Sequence, residues 1–421
     1  MKKLLLFLIS TFGTIFAHSQ TYTLADCINY AYAHRTELQK QEAAQNYYNK
    51  DYSYSKLGLL PSVNGKSYYQ LSYDRKDELT QSATAELAGE LVLFRGFQTF
   101  NSLKQSKLLK ERNQTYIEKI RNDIKLEITE IYYSLLLAQE NIKIFENSIQ
   151  SAEQQISLIN EAVKVGRTSN VDLLEMQAQL EKERSNRISL VKQYERDFIR
   201  LKKAMNYEEK QTFFIIPPPE LEITESLPKG EIRSGLPEFQ LTRQDSLFAV
   251  CDLKRVKGQY SPYLSLYGSF ATQYQKIPKM ENDKFGHQFD DNFTKLAGVS
   301  LSIPIYSRHE VRRQQIEKER QLSYVNLENK QLYQDIYFEV ERIRQEIIQT
   351  QENLKTAENR FNFCKQIYEI RLEQYRHGTL SITDLLIAEN NMKNAEIELI
   401  YVKYNLQYNA VVMQHFCGVR E

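Results

Sequence analysis

The sequence is poor in the two residues that most often interrupt regular structure. Of its 421 residues, only 14 are glycine and 9 are proline, and these residues usually mark turns and the ends of elements. Turns must therefore be few, and the elements between them must be long. Tryptophan is absent, whereas tyrosine occurs 28 times.

The sequence also lacks an excess of charge of either sign. Lysine and arginine total 55 against 54 aspartates and glutamates, a net charge of +1, so nothing indicates a nucleic-acid partner. The six histidines are scattered without an HExxH pattern, and neither a glycine-rich phosphate loop nor a nucleophile elbow occurs. We therefore expect no metal, no cofactor and no enzyme activity.

Long apolar runs are missing except at the N-terminus. There, two lysines precede an apolar run over 4–16, and Ala17-His18-Ser19 follows as a small-x-small cleavage pattern. A run of about 13 residues is too short to span a bilayer but suits a secretory signal peptide. We predict a signal peptide over 1–19. Since no other stretch reaches about 18 apolar residues, any membrane crossing by the exported chain must use strands.

What the sequence does contain is one long internal repeat. The phrases VGRTSNVDLL, beginning at Val165, and HGTLSITDLL, beginning at His377, lie 212 positions apart. An apolar stripe in steps of three and four residues precedes both phrases at the same offset, and only Thr350 departs from its apolar or aromatic character. Self-similarity over such a length indicates a duplication.

The duplication divides the mature chain into two repeats, joined by a proline-rich linker at 217–230 whose prolines exclude a helix. The first repeat, 20–216, is predicted to contain strands at about 61–73 and 84–94, a long helix at 97–165, a hairpin tip at 166–172 and a return helix at 172–206. The second, 231–421, is predicted to contain strands at about 262–274 and 293–304, a long helix at 309–377, a tip at 378–384 and a return helix at 384–417.

The helical part of each repeat is predicted to be an antiparallel hairpin. Neither 97–165 nor 309–377 contains a proline or a glycine, so each predicts one helix of roughly 100 Å. A 3,4 stripe of that length indicates coiled-coil packing against neighbouring helices. Gly166 and Gly378 are the residue type that ends helices. Ser169 and Ser381, each followed three residues later by aspartate, predict a capping box at the start of the return helix.

The strands alternate between apolar residues and small or polar residues. In LAGVSLSI, Val299 and Leu301 share a face opposite Ser300, and in AELAGELVL, Leu91 and Leu93 share the face opposite Glu90. Strands of about ten residues with this alternation suit a lipid-spanning barrel, although a half-buried soluble sheet shows the same pattern. The export signal and the lack of an apolar helix favour lipid. Four strands cannot close a barrel, so two copies would supply eight strands and three copies twelve.

These features together resemble a TolC-type outer-membrane efflux protein over essentially the whole mature chain. The resemblance includes the two helix–strand–strand–helix repeats, the Gly-x5-Asp-Leu-Leu hairpins and the strand exits LVLFRGF and SIPIYSR. The fold class is then mainly α with a β-barrel portion. The resemblance implies a homotrimer in which four strands per chain form a twelve-stranded barrel in outer-membrane lipid. It also implies that the long coiled-coil helices form a tunnel through the periplasm.

The resemblance further assigns roles to the hairpin tips. A periplasmic adaptor and an inner-membrane transporter would dock on them, at Gly166, Arg167, Thr168, Ser169, Gly378, Thr379, Leu380 and Ser381. The entrance and its gate would involve Asp384, Asp172, Glu175 and Tyr375. Ile387 occupies the position of the family's second acid, and Leu380 that of a basic residue that ties the closed state, so the gate is expected to be held differently here.

Two alternatives remain open at the level of sequence. Asp172 and Asp384 can act as helix caps alone, since such caps contribute about 1 kcal/mol each. The whole chain can instead be an exported soluble coiled-coil scaffold or adhesin whose sheets are half buried. The leading prediction is a passive exit duct in the outer membrane, serving tripartite efflux or type I secretion.

Overall fold

The computed structural model describes residues 20–73, 78–208, 213–217, 232–278 and 284–418. The signal peptide predicted over 1–19 lies outside these residues. So does the linker predicted at 217–230, except for Pro217.

The chain divides into two compact units that do not coincide with the two repeats. One unit comprises 1–39, 119–234 and 336–421, and the other comprises 40–118 and 235–335. Each unit therefore takes part of both repeats.

The described elements of the first repeat are a short strand, two helices, two long strands, a helical hairpin and a second short strand. Their bounds are β1 (Gln20–Tyr22), α1 (Leu24–His34), α2 (Thr36–Ser55), β2 (Ser62–Tyr73), β3 (Leu79–Arg95), α3 (Gln98–Lys164), α4 (Asn170–Met205) and the three-residue β4 (Phe213–Ile215). β3 begins at Leu79, five residues before its predicted start at 84. The alternating phrase AELAGELVL begins only at Ala85, so it did not reveal these first residues.

The second repeat contains one helix, two strands with a short helix between them, and a second helical hairpin. Its elements are α5 (Pro237–Lys257), β5 (Tyr263–Lys276), α6 (Phe285–Asp291), β6 (Thr294–Ser302), α7 (Glu310–Arg376) and α8 (Ile382–Cys417). β6 ends at Ser302 rather than at the predicted 304, because Pro304 has no backbone N–H to donate to a ladder.

The two helical hairpins have the same dimensions. α3 and α7 each contain 67 residues, and α4 and α8 each contain 36. All four helix starts and ends in one repeat lie 212 positions from those in the other. Before the long helices, Phe97 and His309 occupy the left-handed region at the same φ of 59°. In the described part of the chain, no helix combines the length and the apolar character that a membrane crossing needs.

The strands form one four-stranded sheet in the order β2–β3–β5–β6, with every neighbouring pair antiparallel. The register places the apolar alternates of all four strands on the same face: Gly65 pairs with Leu87, Leu87 with Phe270, and Leu266 with Val299. The expected alternation is interrupted at Leu93. A bulge between Val92 and Phe94 shifts the register, so that Phe94 rather than Leu93 lies opposite Leu264.

The apolar stripes lie in the interior of the helical layers. Ile124, Ile128 and Leu135 are at most 2 % exposed in the first repeat, and Ile343 and Ile347 are 1 % exposed in the second. Thr350, which interrupts the stripe in sequence, is buried as well. Burying an aliphatic side chain stabilises a fold by about 1.5–3 kcal/mol, so these stripes are the main source of helix packing.

The short strand pair was not anticipated from the sequence. β1 runs parallel to β4, and the hydroxyl of fully buried Tyr132 donates to the backbone oxygens of Tyr22 and Ile216. A complete capping box opens α1, where Thr23 and Asp26 exchange hydrogen bonds. The segment that follows the predicted signal peptide is therefore held in place by the backbone pairing of β1 with β4 and by the buried hydroxyl of Tyr132.

Candidate functional site

The two hairpin turns are built by the same backbone hydrogen bonds. Gly166 and Gly378 both have φ of 71°, in the left-handed region where glycine carries no steric penalty. The N–H after each glycine reaches back five residues, from Arg167 to Ala162 at 2.8 Å and from Thr379 to Gln374 at 3.0 Å. This is the helix-ending arrangement in which a left-handed residue satisfies the last free carbonyls.

The return helices are capped by the predicted serines, but neither cap is the predicted reciprocal box. Ser381 Oγ accepts the N–H of Asp384 at 3.1 Å, and its hydroxyl donates to the Asp384 carboxylate at 2.7 Å. Ser169 Oγ accepts from the N–H of Val171, while the Asp172 carboxylate accepts from Thr168 Oγ1. In both turns the aspartate binds a hydroxyl instead of the backbone N–H of the capping serine.

Most of the predicted tip residues are accessible. Gly166, Arg167, Ser169, Gly378, Thr379 and Ser381 are exposed, whereas Thr168 and Leu380 are half-buried. Leu380 packs against a buried cluster from α3, α4 and α8, which includes Ile159, Met176, Ile382 and Leu385, while α7 adds partly buried side chains around it. The tips therefore expose polar backbone and side chains next to a buried apolar cluster.

The structure brings the predicted gate residues into two contacts. Tyr375 lies near Asp172, and the pKa of its hydroxyl is raised, first by burial and then by the Asp172 charge. Glu175 accepts a hydrogen bond from Thr383 Oγ1 at 3.0 Å, which links α4 to α8. Each contact joins the first hairpin to the second.

Asp384 is exposed, and its carboxylate contacts only the capping serine among the hydrogen bonds of the turn. Its backbone carbonyl accepts a hydrogen bond from Arg371 at 3.1 Å. Sequence reasoning missed Arg371 and Thr383. Arg371 lies on α7 and Asp384 on α8, at unequal distances from the turn, so their spacing in sequence does not identify this contact.

A buried charged layer below the tips was also missed. Glu183 on α4 and Lys393 on α8 form an ion pair with side chains 2 % and 6 % exposed, and Glu389 lies one turn before Lys393 with 7 % exposure. Burial raises the pKa of Glu389 to about 7, opposed by Lys393 and reinforced by Glu183. The sequence suggested solvated helix faces for such acids, because alternating charges on a helix do not reveal which of them faces a neighbour.

One oxygen of each buried acid has no hydrogen-bond partner. These atoms are Oε2 of Glu183 and Oε2 of Glu389. An unsatisfied buried carboxylate oxygen is costly, which is consistent with Glu389 holding a proton near neutral pH. Among the described residues, no group of three or more histidine, cysteine, aspartate or glutamate side chains is arranged to hold a metal ion.

Comparison with known proteins assigns the first repeat to a family. The sequence profile described as "Outer membrane efflux protein" matches residues 27–207. Residues 27–207 therefore match the outer membrane efflux protein family. Among curated protein sequences, no significant match to the chain was found.

Solved structures extend this likeness to nearly the whole length of the chain. The outer membrane protein VceC from Vibrio cholerae is similar with 13% identity and a TM-score of 0.79, covering 94% of this chain and 97% of that one. The CmeC outer membrane channel of Campylobacter jejuni is similar with 16% identity and a TM-score of 0.78, covering 94% and 87%. The open state of the MtrE outer membrane channel of Neisseria gonorrhoeae is similar with 15% identity and a TM-score of 0.77, covering 94% and 88%. At these identities, the matches show a shared fold.

Proposed function

We propose that the chain is the outer-membrane exit duct of a tripartite efflux or type I secretion system. Three copies would combine their sheets into one twelve-stranded barrel in the outer membrane, and their helical hairpins would extend into the periplasm as a tunnel. Substrates would be handed over by a periplasmic adaptor and an inner-membrane transporter, and the duct would conduct them passively.

The observation that carries this proposal is the sheet with its exposed apolar face and its two edges. On that face, Val63, Leu71, Phe270, Val299 and Leu301 are each at least 50 % exposed. A soluble chain rarely leaves such a contiguous apolar surface uncovered, because exposing it to water is unfavourable. Lipid chains are the cover that requires no further partner protein.

The edges β2 and β6 supply the argument for several copies. An open edge leaves backbone N–H and C=O groups without partners, which lipid does not tolerate. β2 and β6 run in opposite directions, because strand direction alternates across the four-stranded sheet. Pairing β6 of one copy with β2 of the next therefore continues the antiparallel ladder, and three copies give twelve strands.

The opposite face of the sheet is suited to a water-filled interior. Asn64, Lys66, Glu86 and Ser300 project from it, and Gly298 lies under the hydroxyl of Tyr267. Alternation of an apolar outside with a polar inside is typical of membrane barrels. Polar lining with both charge signs suits a duct that conducts solutes without binding them tightly.

The hairpin tips are the proposed docking end. Gly166, Arg167, Ser169, Gly378, Thr379 and Ser381 would contact the adaptor because they are exposed at the helix turns. Half-buried Thr168 and Leu380 would support them. Asp384, Asp172, Glu175 and Tyr375 would control the entrance, through the charge of Asp384 and through the two contacts that join the hairpins.

The test is to purify the mature protein from membranes and measure its mass and its conductance. We expect extraction only with detergent, a mass three times that of one mature chain by light scattering, and discrete conductance steps in planar bilayers. A monodisperse monomer would contradict the proposal. The alternative, an exported scaffold or adhesin, predicts release from membranes by alkaline carbonate and no conductance.

A further inference from the structure

A groove lies on the apolar face of the sheet, across β2, β3 and β5. Its volume is about 400 Å³, within the range of roughly 300–1,000 Å³ that is typical of small-ligand sites. The register shows which side chains enter it, because Gly65, Ala85 and Phe270 all belong to the apolar face. The small residues Gly65, Ser67 and Ala85 form its floor, and the bulky residues Leu87, Phe270 and Phe293 form its walls.

The groove is part of a built surface. Phe270 and Phe293 are stacked with ring centroids 6.1 Å apart. Beside them, helix α6 folds back on β5, where Thr272 Oγ1 donates to the backbone oxygen of Phe289 at 2.5 Å and Tyr274 contacts Phe285 at 4.9 Å between ring centroids. The aromatic wall is therefore held in place from both sides, while Leu87, Phe270 and Phe293 remain about half exposed.

A cation stands at the rim of this groove. Lys295 pairs with Phe270 across the ladder, on the same face, and its Nζ lies 5.7 Å from the centroid of the Phe293 ring. The described residues give Lys295 no carboxylate partner. A lysine on a lipid-facing surface is costly near the middle of a bilayer but not at its boundary, where the ammonium reaches lipid headgroups.

The rim lies beside α6, on the side of the groove that is away from the long helices along the chain. β3 and β5 continue beyond the row of Lys295, and there the polar helix α6 packs on Thr272 and Tyr274. Lys295 is the second residue of β6, directly after the connection that carries α6, whereas the other end of β6 leads to α7. With the helices in the periplasm, the groove and Lys295 would lie in the leaflet on the opposite side of the membrane.

We propose that this groove binds one anionic lipid of that leaflet. Its acyl chain would lie on Gly65, Ser67 and Ala85 between the aliphatic and aromatic walls, and its headgroup phosphate would contact Lys295. The apolar lining selects an acyl chain, and the unpaired ammonium selects a negative headgroup. This inference rests on the membrane-spanning role proposed for the sheet.

The absence of tryptophan from the chain provides a direct test. Phe293→Trp places a single fluorophore in the groove wall, and Leu301→Trp places one on the same face at the far end of β6 as a matched control. Each variant is reconstituted in phosphatidylcholine vesicles that contain increasing fractions of brominated phosphatidylglycerol or, separately, brominated phosphatidylcholine. Bromine quenches tryptophan only on contact, so quenching reports which lipid occupies the site.

We expect brominated phosphatidylglycerol to quench Phe293→Trp at about fivefold lower fraction than brominated phosphatidylcholine does, as one lysine near an anionic headgroup should provide. Leu301→Trp should respond equally to both lipids. Adding Lys295→Gln to Phe293→Trp should abolish the headgroup preference. Adding Gly65→Leu should fill the floor, where an added Cβ meets nothing within 4 Å, and should weaken quenching by either lipid.

Two outcomes would overturn the inference, and only the second would also overturn the membrane-spanning role of the sheet. If both tryptophans are quenched equally by both lipids, the sheet spans the membrane but has no selective site. If neither tryptophan is quenched by either lipid, the membrane-spanning role fails together with the site. Leu87→Trp, in the opposite wall, repeats the measurement if Phe293→Trp does not assemble.

Discussion

At the scale of single residues, the acids near the hairpin tips form two groups with different environments. Asp384 and Glu175 are exposed, so water and salt weaken the interaction of each single carboxylate with an ion. Several such charges must therefore act together to attract ions. Glu183 and Glu389 are buried between helices, where an unpaired charge is costly. The exposed acids suit ion selection, whereas Glu389, whose pKa is raised by burial, suits the binding of a proton.

Asp384 is the residue for which a charge role and a capping role can be separated. The amide oxygen of asparagine can still accept the Ser381 hydroxyl that the Asp384 carboxylate accepts, so Asp384→Asn should keep the turn and remove only the charge. A ring of three such carboxylates would favour cations. We expect the variant to fold normally, yet to lose cation preference in single-channel recordings, whereas Glu153→Gln, an exposed acid paired with Arg184, should not change it. Unchanged selectivity in the Asp384 variant would leave Asp384 with only its structural role beside the capping serine.

Glu389 predicts a pH dependence of stability with a definite sign. Its pKa in the folded chain is about 7, above the ordinary 4.5, so the folded state holds a proton that the unfolded state loses. The contribution of this group is full below about 4.5 and is lost as pH rises through about 7, by at most roughly 3 kcal/mol. Lys393, Glu183 and Tyr368 are the groups that face it.

The corresponding measurement is thermal unfolding in detergent between pH 5 and pH 8. Glu389→Gln mimics the protonated form, so the difference in melting temperature between this variant and the parent should grow as pH rises. Glu369→Gln, at an exposed position on α7, serves as the control and should follow the parent at every pH. A constant difference between Glu389→Gln and the parent would rule out titration of Glu389 in this range.

At the scale of elements, the two repeats approach each other closely at a crossing of two glycines. Gly96, between β3 and α3, and Gly258, at the end of α5, lie so close that a Cβ on either would clash with the carbonyl oxygen of the other. Gly96 also has φ of 55°. At this crossing, the residue that follows β3 in the first repeat lies against the end of α5, the helix that precedes β5 in the second repeat.

We therefore expect Gly96→Ala and Gly258→Ala each to destabilise the protein by about 3 kcal/mol or more, because backbone cannot move aside as a flexible side chain can. The matched control is Gly58→Ala, where an added Cβ meets nothing within 4 Å. That substitution should change stability by no more than about 0.5 kcal/mol. Equal melting temperatures for the three variants would contradict the crossing.

At the scale of the whole molecule, the proposed function depends on which face of the sheet meets lipid. Val299 and Ser300 are neighbours on the edge strand β6 and project from opposite faces. Both are exposed in the single chain, so any difference in their accessibility must come from what covers the sheet after assembly.

Cysteine labelling in membranes tests this directly. Cys27 and Cys251 are buried, so a background with Cys364 and Cys417 replaced by alanine should be nearly silent. Ser300→Cys should react with a water-soluble maleimide added to membranes, while Val299→Cys should react only after denaturation in urea. Equal reaction of both before denaturation would argue against a lipid-facing apolar side.

The sequence by itself determined the periodic features of this protein. The spacing of apolar residues dictated where the long helices lie and which faces they bury, and glycine and serine at a constant offset dictated both hairpin turns. Alternation dictated which strand residues share a face, since side chains in a strand alternate strictly. These properties depend on local steric rules, so they are readable without knowledge of any partner element.

Only the tertiary structure decided features that depend on distant residues. The burial of Glu389, the contact of Thr383 with Glu175, the pairing of β1 with β4 and the bulge at Leu93 each require a neighbour far away in sequence. A charged residue on a helix looks the same in sequence whether it faces water or another helix. Its surroundings, and therefore its pKa and its role, follow from packing alone.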